Sequence, residues 1–294
     1  MPMKADVRLP VSTSLLPAAR LAEFWRGVWV IAYREILRFS RERARWLSAL
    51  VWPLLLIGVL GVGFDRIVGE LAADLSYLEF LVPGIIAVNV AGSALASGLS
   101  VVWDREFGFL REVLVAPVSR GGIVLGKALG AGLIATVQGT LLVMAAPLMG
   151  VSIASTSVIA LIPLFLTISI AMGCLGVLLA AFISSQRAFG AVRQAVQLPL
   201  VILSGAFFPL SVMPDWLRVL SMLNPLAYGV DAARTLFSAS GGAGEAMTAE
   251  TAIELQLVIF GHRAGLAEDF AVLAITGALI LIAAAWKLNR QEVT

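Results

Sequence analysis

The chain has 294 residues, of which 60% are hydrophobic and 14% are charged, and its mean hydropathy is +0.94. Average soluble domains carry roughly 25% charged residues, so this composition excludes an ordinary soluble domain and predicts an all-α polytopic membrane protein. One cysteine, Cys174, and one histidine, His262, exclude a disulfide framework and a metal cluster built from these ligands. The net charge of +2 says less than the distribution of charge along the chain.

Two segments precede the first apolar run. Residues 1–20 contain prolines, Ser and Thr but no apolar stretch of signal-peptide length, and they are predicted to form a flexible cytoplasmic tail. Residues 21–45 are predicted to form an amphipathic interfacial helix, because tryptophans and arginines recur at steps of three and four on opposite faces. The apolar stripe comprises Trp25, Trp29, Ala32, Ile36 and Phe39, and the basic stripe Arg34, Arg38, Arg41 and Arg45. The helix either only anchors the chain at the lipid headgroups or also docks a partner.

Six apolar runs follow, and each approaches the length of about 20 residues that a helix needs to cross a membrane. They predict six transmembrane helices at 46–64, 77–102, 121–149, 157–183, 186–208 and 270–286. The transmembrane domain is therefore predicted to span 46–286, with a second tail at 287–294. An even number of crossings places both termini on one side of the membrane. Pro199 is expected to kink the fifth helix.

Lysine and arginine lie mostly on the side of the two termini. Of the 21 Lys and Arg residues, only Arg66, Arg218, Arg234 and Arg263 fall on the opposite side. Because short loops rich in Lys and Arg stay in the cytoplasm, both termini and the loop between the second and third helices are predicted to be cytoplasmic.

A charged segment, residues 103–120 (WDREFGFLREVLVAPVSR), separates the second apolar run from the third. Its charged residues are interleaved with Phe107, Phe109 and Leu110 at helical spacing, which predicts a short amphipathic helix that ends at Pro117. Ser119 is expected to cap the next helix through its side-chain oxygen. The segment is either a solvated connector or a surface that is touched from the water side.

Residues 121–127 (GGIVLGK) match the start of a phosphate-binding loop, but Ala128 stands where Ser or Thr is required and no strand precedes the run. We therefore reject nucleotide binding at this motif. Gly122, Gly126 and Gly130 recur every four residues and are predicted to let another helix approach closely. Lys127 is interpreted as an interfacial anchor at the cytoplasmic end.

Polar residues are sparse within the apolar runs. They comprise Asn89, Ser93, Ser97 and Ser100 on one face of the second helix, Arg193, Gln194 and Gln197 in the fifth, and the scattered Thr136, Gln138 and Thr140 in the third. Each set either packs helices together or lines a path or a dimer interface. The runs place no Asp, Glu or His at membrane depth, which weighs against an ion-coupled transporter. No set of acid, base or metal ligands indicates an enzyme.

Residues 209–269 form the longest segment outside the predicted spans. Two apolar runs within it, 217–223 and 226–237, are too short to cross and are separated by Asn224-Pro225. They predict a re-entrant helical hairpin in the outer leaflet. Irregular backbone at that depth must be covered by protein or face a wet cavity, which indicates a permeation path or a gate. Residues 248–260 are predicted to form an external amphipathic helix.

Two stretches carry a resemblance to a known family. Residues 204–234 (SGAFFPLSVMPDWLRVLSMLNPLAYGVDAAR) resemble the C-terminal signature of the membrane subunits of type-2 ABC exporters, the ABC-2 family. Residues 104–127 (DREFGFLREVLVAPVSRGGIVLGK) resemble the first cytoplasmic loop of the same family. The family includes permeases for drugs, nodulation factors and polysaccharides, and the resemblance extends over residues 21–286.

The resemblance implies that residues 103–117 and the interfacial helix contact a separate ATP-hydrolysing subunit. The contact residues that it implies are Arg34, Arg38, Arg41, Arg105, Glu106, Phe107, Gly108, Phe109, Leu110, Arg111 and Glu112. The second and fifth helices are expected to line the translocation path, with Asn89, Ser93, Ser97, Gln194 and Gln197 as its polar residues. The expected external gate consists of Phe207, Phe208, Pro209, Asn224 and Pro225.

The implied assembly has two permease subunits, either two copies or one copy with a paralogue, on two ATPase subunits in a bacterial cytoplasmic (inner) membrane. ATP and Mg²⁺ are expected on the ATPase, and neither a cofactor nor a nucleic acid is expected on this chain. The implied function is export of an amphipathic or lipid-linked substrate, and the residues leave drug, lipid and glycan open. The alternative is an ATP-independent secondary transporter or a membrane regulator with a permease-like fold.

Overall fold

The computed structural model describes residues 17–61, 63, 77–107, 119–151, 153–210, 213–238, 258–259, 262–263 and 265–290. Ten α-helices lie in these ranges: α1 Pro17–Ser40, α2 Arg43–Leu56, α3 Tyr77–Leu95, α4 Gly98–Glu106, α5 Arg120–Ala145, α6 Ser155–Phe182, α7 Gln186–Ile202, α8 Asp215–Met222, α9 Pro225–Ser238 and α10 Leu266–Asn289. A π-helical turn, Ile57–Gly61, extends α2, and a 3-10 turn, Ala146–Met149, extends α5. The predicted all-helical class is therefore confirmed.

Within the described residues, four stretches are long and apolar enough to cross a membrane. They are Tyr77–Glu106, Arg120–Met149, Ser155–Phe182 and Leu266–Asn289. Trp46–Gly61 is a shorter apolar helix, and α7 has 17 residues. The predicted fifth helix is therefore too long, because the chain leaves the helix after Ile202 and Gly205 adopts a left-handed backbone with φ of 75°.

The core surrounds α6, which packs against α3, α5 and α10. Its buried side chains, including Leu161, Phe165 and Ile168, meet Ile86 of α3 and Leu142 of α5 in one apolar cluster. A helix that is apolar on all sides must be covered by neighbours or by lipid, and neighbouring helices bury half of the most apolar window of α6. The cluster fixes the spacing of the helices that carry the polar side chains described below.

A break between α3 and α4 brings two backbones into contact. A Cβ atom at Gly98 would overlap the backbone of Gly176 in α6, and a Cβ at Gly176 would overlap the backbone of Leu95. Only glycine fits at such a crossing, since it has no side chain. The crossing redirects the chain so that α4 leads from the second span into the charged segment.

The N-terminal helix differs from its prediction. It begins at Pro17, inside the predicted tail, and ends at Ser40, because Glu42 leaves the helical region with φ of −96° and ψ of 73°. Trp25 and Trp29 are exposed, whereas Ala32 is buried. The predicted single apolar stripe is therefore two surfaces, one exposed and one packed against α5.

The glycine stripe of α5 is the surface on which α1 packs. Ideal Cβ atoms at Gly126 and Gly130 would lie 2.8 Å from the carbonyl oxygens of Val28 and Ala32, respectively. The prediction that these glycines admit another helix is confirmed at Gly126 and Gly130, and that helix is α1. Ser119 caps α5 as predicted, since its Oγ accepts a hydrogen bond from the Gly122 amide at 3.1 Å.

Charged side chains are buried in the bundle, contrary to the expectation from the apolar runs. Lys127 is 2% exposed, so it is not an interfacial anchor. Asp104, Asp231, Arg234 and Asp269 are also buried. The expectation failed because it considered the hydropathy of each run separately. Helices α4, α9 and the start of α10 carry charged side chains that neighbouring helices bury.

Two further predictions are corrected or lie outside the described residues. The charged segment begins as a continuation of the second span, with α4 running to Glu106, and not as a separate helix. Gly108, Phe109, Leu110, Arg111 and Glu112 lie outside the described residues. Of the predicted external helix, Val258–Ile259 is instead a strand paired with His262–Arg263, and residues 248–257 are outside the described part.

Candidate functional site

A cavity of about 750 Å³ lies between α1, α2, α3, α4, α5 and α7. Its lining includes the apolar side chains Trp52, Pro53, Leu56, Ile85, Val88 and Ile134. The polar side chains of the lining, which we call the polar wall, include Asn89, Ser93, Ser97, Ser100, Gln138, Arg193 and Gln197. Four of the five predicted path residues therefore line one cavity. The fifth, Gln194, is exposed on α7 and is not part of this wall.

Hydrogen bonds order part of the polar wall. Ser93 Oγ donates to Gln138 Oε1 at 2.7 Å, and Arg193 Nη1 donates to Gln197 Oε1 at 2.9 Å. The sequence reading missed Gln138, because the polar residues of the third run show no common face. The signal that could have identified Gln138 is the free energy of burying its side-chain amide. An amide in an apolar helix needs a hydrogen-bond partner on a neighbouring helix.

Three polar atoms of this wall are buried without a hydrogen-bond partner among the described residues. They are Asn89 Oδ1, Ser97 Oγ and Gln138 Nε2. An unpaired buried polar atom costs free energy, so its presence calls for a functional explanation. Both donors and acceptors remain available in the wall, which suits a polar group on an amphipathic molecule.

An ion network lies beside the cavity and joins α1, α4 and α5. The Lys127 ammonium donates to Glu35 Oε1 at 3.0 Å, to Asp104 Oδ2 at 2.7 Å and to Ser100 Oγ at 2.9 Å. Arg34 Nη2 donates to Asp104 Oδ1 at 2.7 Å. Two cations thus face two carboxylates, and this compensation is what allows the charges to be buried. Glu35 and Ser100 also line the cavity.

An exposed surface adjoins the network, and we call it the α1–α4 surface: Arg38, Arg41, Trp103 and Phe107. The Arg38 guanidinium lies 4.5 Å from the centre of the Trp103 ring, and Trp103 packs edge-on against Phe107. Phe107 is 75% exposed and Arg41 is also exposed. An exposed aromatic beside arginines is typical of a protein contact.

Arg105 and Glu106 use their charged groups inside the chain. Arg105 Nη1 donates to the carbonyl oxygen of Ile183 at 3.2 Å. The Glu106 carboxylate accepts from the Gln186 amide at 3.0 Å and also from the Gln186 side chain. These bonds attach the end of α4 to the turn between α6 and α7. A negative charge also suits the N-terminus of α7, where backbone amides lack partners.

At the opposite end, the predicted gate residues surround the turn after α7. Arg234 donates to the carbonyl oxygens of Gly205 and Ala206 and stacks 3.8 Å above the centre of the Phe80 ring. Asn224 Nδ2 donates to the carbonyl oxygen of Leu200 at 2.7 Å.

Phe207 and Asn224 are thus held in place by neighbouring elements. Tyr77 Oη donates to the carbonyl oxygen of Phe207 at 3.2 Å, and Asn224 Oδ1 accepts from the Leu226 amide at 3.0 Å. Phe208 is exposed, Pro209 follows it, and Pro225 begins α9. Asn224 is therefore attached to the end of α7, and the turn before Phe207 is attached to α9 through Arg234.

The described helices thus include four of membrane-spanning length, and a cavity lined by both apolar and polar side chains lies among the helices. Residues 26–237 match the family model described as ABC-2 type transporter, and the chain belongs to that family. It is therefore a multi-pass membrane protein and a transport subunit of a kind that normally works with an ATPase partner.

Three relatives illustrate the similarity. The putative transport permease ycf38 of Pyropia yezoensis is 34% identical over 210 residues, which cover 70% of this chain and 72% of that protein. The inner membrane transport permease YadH of Escherichia coli K12 is 30% identical over 216 residues, covering 72% and 82%. The probable multidrug ABC transporter permease YbhR of the same strain is 30% identical over 166 residues, covering 56% and 45%.

Proposed function

We propose that this chain is the transmembrane subunit of an ATP-driven exporter that moves an amphipathic or lipid-linked substrate across a bacterial cytoplasmic membrane. The observation that carries the proposal is the cavity, since its apolar side chains suit an acyl chain or an apolar drug and its polar side chains suit a polar headgroup. The name of YadH, an inner membrane transport permease, supports the location, and the name of YbhR, a probable multidrug ABC transporter permease, supports a drug among the candidate substrates.

The proposed topology has six crossings with both termini in the cytoplasm. Four are the long apolar stretches, and α2 with its π-helical turn and α7 supply the other two. At 1.5 Å per residue, the 17 residues of α7 extend about 26 Å, close to the hydrocarbon thickness of about 30 Å. The short helices α8 and α9 form the re-entrant hairpin of the outer leaflet. The distribution of Lys and Arg supports this orientation.

The permease is proposed to act as a pair, with a second copy or a paralogue beside α7. Much of α7 is exposed, including Gln194, and Phe189 is its buried residue. A glutamine that faces lipid is costly, whereas one that faces a second helix can form a hydrogen bond. The pair would close the cavity between two equivalent α7 helices and define the translocation path.

Two ATPase subunits are proposed to bind the α1–α4 surface together with residues 108–112. ATP and Mg²⁺ belong to those subunits, and this chain contributes no cofactor. Phe107 would insert into a cleft of the ATPase, with Arg38 and Arg41 at the rim. Arg34, Arg105 and Glu106 contribute to the same contact indirectly. Their charged groups hold α1, α4 and α7 together and so position the surface that the ATPase would bind.

The test is ATPase activity in lipid nanodiscs, measured for the permease alone and for its complex with the ATPase encoded beside it. Three probes represent the substrate classes: rhodamine 6G for drugs, phosphatidylglycerol for lipids and undecaprenyl phosphate for lipid-linked glycans. We expect hydrolysis by the complex alone, stimulated by one probe, which then identifies the class. A complex inactivated in its ATPase subunit is the control. Failure of any ATPase to co-purify would refute the proposal.

The ion-coupled alternative gains one observation from the structure. Asp269 is 1% exposed, and neither of its carboxylate oxygens has a hydrogen-bond partner among the described residues. Buried carboxyls of this kind serve as ion or proton relays in secondary transporters. Uptake of the stimulating probe into inverted vesicles separates the two mechanisms. ATP-driven uptake that persists when the proton gradient is collapsed supports the ABC exporter, and uptake driven by the gradient without ATP supports the alternative.

A further inference from the structure

We propose that Lys127 is the positioning residue that transmits occupancy of the cavity to the α1–α4 surface. The inference rests on the proposed function, because it assigns a coupling role to a side chain between the substrate cavity and the ATPase contact. Lys127 lines neither of them. It lies in the ion network that joins α1, α4 and α5.

The partners of Lys127 fall on two sides. Glu35 and Ser100 line the cavity, so a molecule in the cavity can contact them directly. Asp104 lies three residues before Phe107, at the end of α4, and also holds Arg34 of α1. The ammonium group therefore joins two groups in the cavity wall to the carboxylate that lies one turn before Phe107, whereas Arg38 and Trp103 of the α1–α4 surface line the cavity themselves.

The bonding capacity of the ammonium group makes this link responsive. A lysine side chain has three N–H donors, and Lys127 spends one each on Glu35, Ser100 and Asp104. A substrate group that bonds to Glu35 or Ser100 competes with the ammonium for that partner. The ammonium then shifts toward Asp104, and Arg34, whose side chain is 39% exposed, can leave Asp104 for water. Arg34 thus provides the second arrangement that coupling between two sites requires.

Stability alone does not explain the network. Replacing a buried ion pair with well-packed apolar side chains is often neutral or stabilising, so such a network is weak evidence for a stabilising role. Its position between Gly126 and Gly130 is also specific, because these glycines bring the backbone of α1 against α5. At this position the α1 backbone is in direct contact with α5. A change in the charges around Lys127 therefore shifts α1 as a whole.

The test uses the permease–ATPase complex in nanodiscs with whichever of the three probes stimulates the wild type. The variants are Lys127→Met, Lys127→Arg and, as a matched control, Lys287→Met. Lys287 is half-buried on α10, stands over the Phe182 ring and does not line the cavity. We expect Lys127→Met to assemble and keep basal ATPase activity within about twofold, while the ratio of stimulated to basal activity falls to about 1. Lys127→Arg retains part of the stimulation, and Lys287→Met matches the wild type.

Binding of the same probe, measured in labelled form, separates transmission from recognition. We expect Lys127→Met to bind the probe with equal or higher affinity, because the ammonium that competes for Glu35 and Ser100 is gone, although stimulation is lost. A purely structural role does not produce this result. Stimulation equal to that of the wild type overturns the inference. Joint loss of assembly, basal activity and stimulation also overturns it, unless Asp104→Asn, which keeps the side-chain shape and lies outside the cavity lining, assembles and loses stimulation alone. Absence of stimulation in the wild type is instead a failure of the proposed function, and the inference falls with it.

Discussion

Arg234 shows how one buried side chain can organise the outer end of the bundle. Its guanidinium pairs with two carbonyl oxygens of the turn after α7 and stacks on Phe80 of α3, so α3, α7 and α9 meet on one residue. Those carbonyls belong to Gly205 and Ala206, in the turn where Gly205 has φ of 75°. Arg234 therefore satisfies backbone groups that the end of α7 leaves unpaired.

Replacing Arg234 with methionine is expected to lower the free energy of unfolding by about 3 kcal/mol, because two buried carbonyls lose a charged donor. The thermal unfolding midpoint in detergent, followed by tryptophan fluorescence, measures the effect. Arg234→Lys is the control and should give an intermediate midpoint, since it keeps the charge without the planar fork. A methionine variant as stable as the wild type would show that the contact does not hold the gate segment.

Among the helices, α1 takes its position from its contact with α5 more than from its amphipathic pattern. Backbone contact at Gly126 and Gly130 allows Glu35 to reach Lys127 across the same interface. The small residues set the distance between the helices, and the charges then fix their register. The exposed tryptophans of α1 lie on another face, where lipid headgroups can cover them.

Alanine substitutions at two glycines of α5 should change stability in opposite directions. At Gly130 the new Cβ would lie 2.8 Å from the Ala32 carbonyl oxygen, so α1 must move and Gly130→Ala is expected to destabilise the protein by about 1–3 kcal/mol. At Gly121 nothing lies within 4 Å, so Gly121→Ala should gain up to about 1 kcal/mol from helix propensity. Thermal unfolding of both variants checks this. Equal changes in the unfolding midpoint of the two variants would mean that α1 does not pack against Gly130.

The attachment of α4 to α7 makes a separate prediction. Glu106→Ala removes the acceptor of the Gln186 amide, so hydrogen exchange of a peptide covering residues 184–189 should become severalfold faster. Ser185 continues to cap the helix, which limits the effect to its first turn. Glu106→Gln keeps an acceptor oxygen and should exchange at nearly the wild-type rate. Unchanged exchange in the alanine variant would contradict the attachment.

At the scale of the whole molecule, the proposed topology separates two exposed surfaces. Phe107 adjoins the cytoplasmic ends of the helices, and Val219 lies on α8 of the outer hairpin. The single native cysteine, Cys174, is buried and should stay unlabelled without being replaced. Introduced cysteines can therefore be labelled in the wild-type background to determine which side of the membrane each residue faces.

A membrane-impermeant maleimide should label Val219→Cys in intact cells and Phe107→Cys only after permeabilisation, because the proposed topology places the two residues on opposite sides of the membrane. Both wild-type side chains are more than half exposed, so access of the reagent is not limited by packing. Labelling is read on a gel after purification. The reverse pattern would invert the proposed orientation, and labelling of both variants in intact cells would contradict the crossings between them.

Composition and local periodicity sufficed to predict the membrane class, the positions of the third and fourth long helices, the Ser119 cap, and the short helices α8 and α9. Each depends on residues within a few turns of one another, so a reading along the chain can detect it. The polar face of Asn89, Ser93 and Ser97 was also visible for that reason. Only the fold, however, places Gln197 of α7 in the same cavity as that polar face.

Tertiary structure decided where the charges go. Lys127 looked like an interfacial anchor because its own neighbours are apolar, yet its partners are 23 residues away at Asp104 and 92 residues away at Glu35. The partners of Gln138 and Arg234, at Ser93 and Gly205, are likewise distant along the chain. The free energy of a buried polar group is set by the distant groups that meet it after folding, and local spacing carries no information about which groups those are.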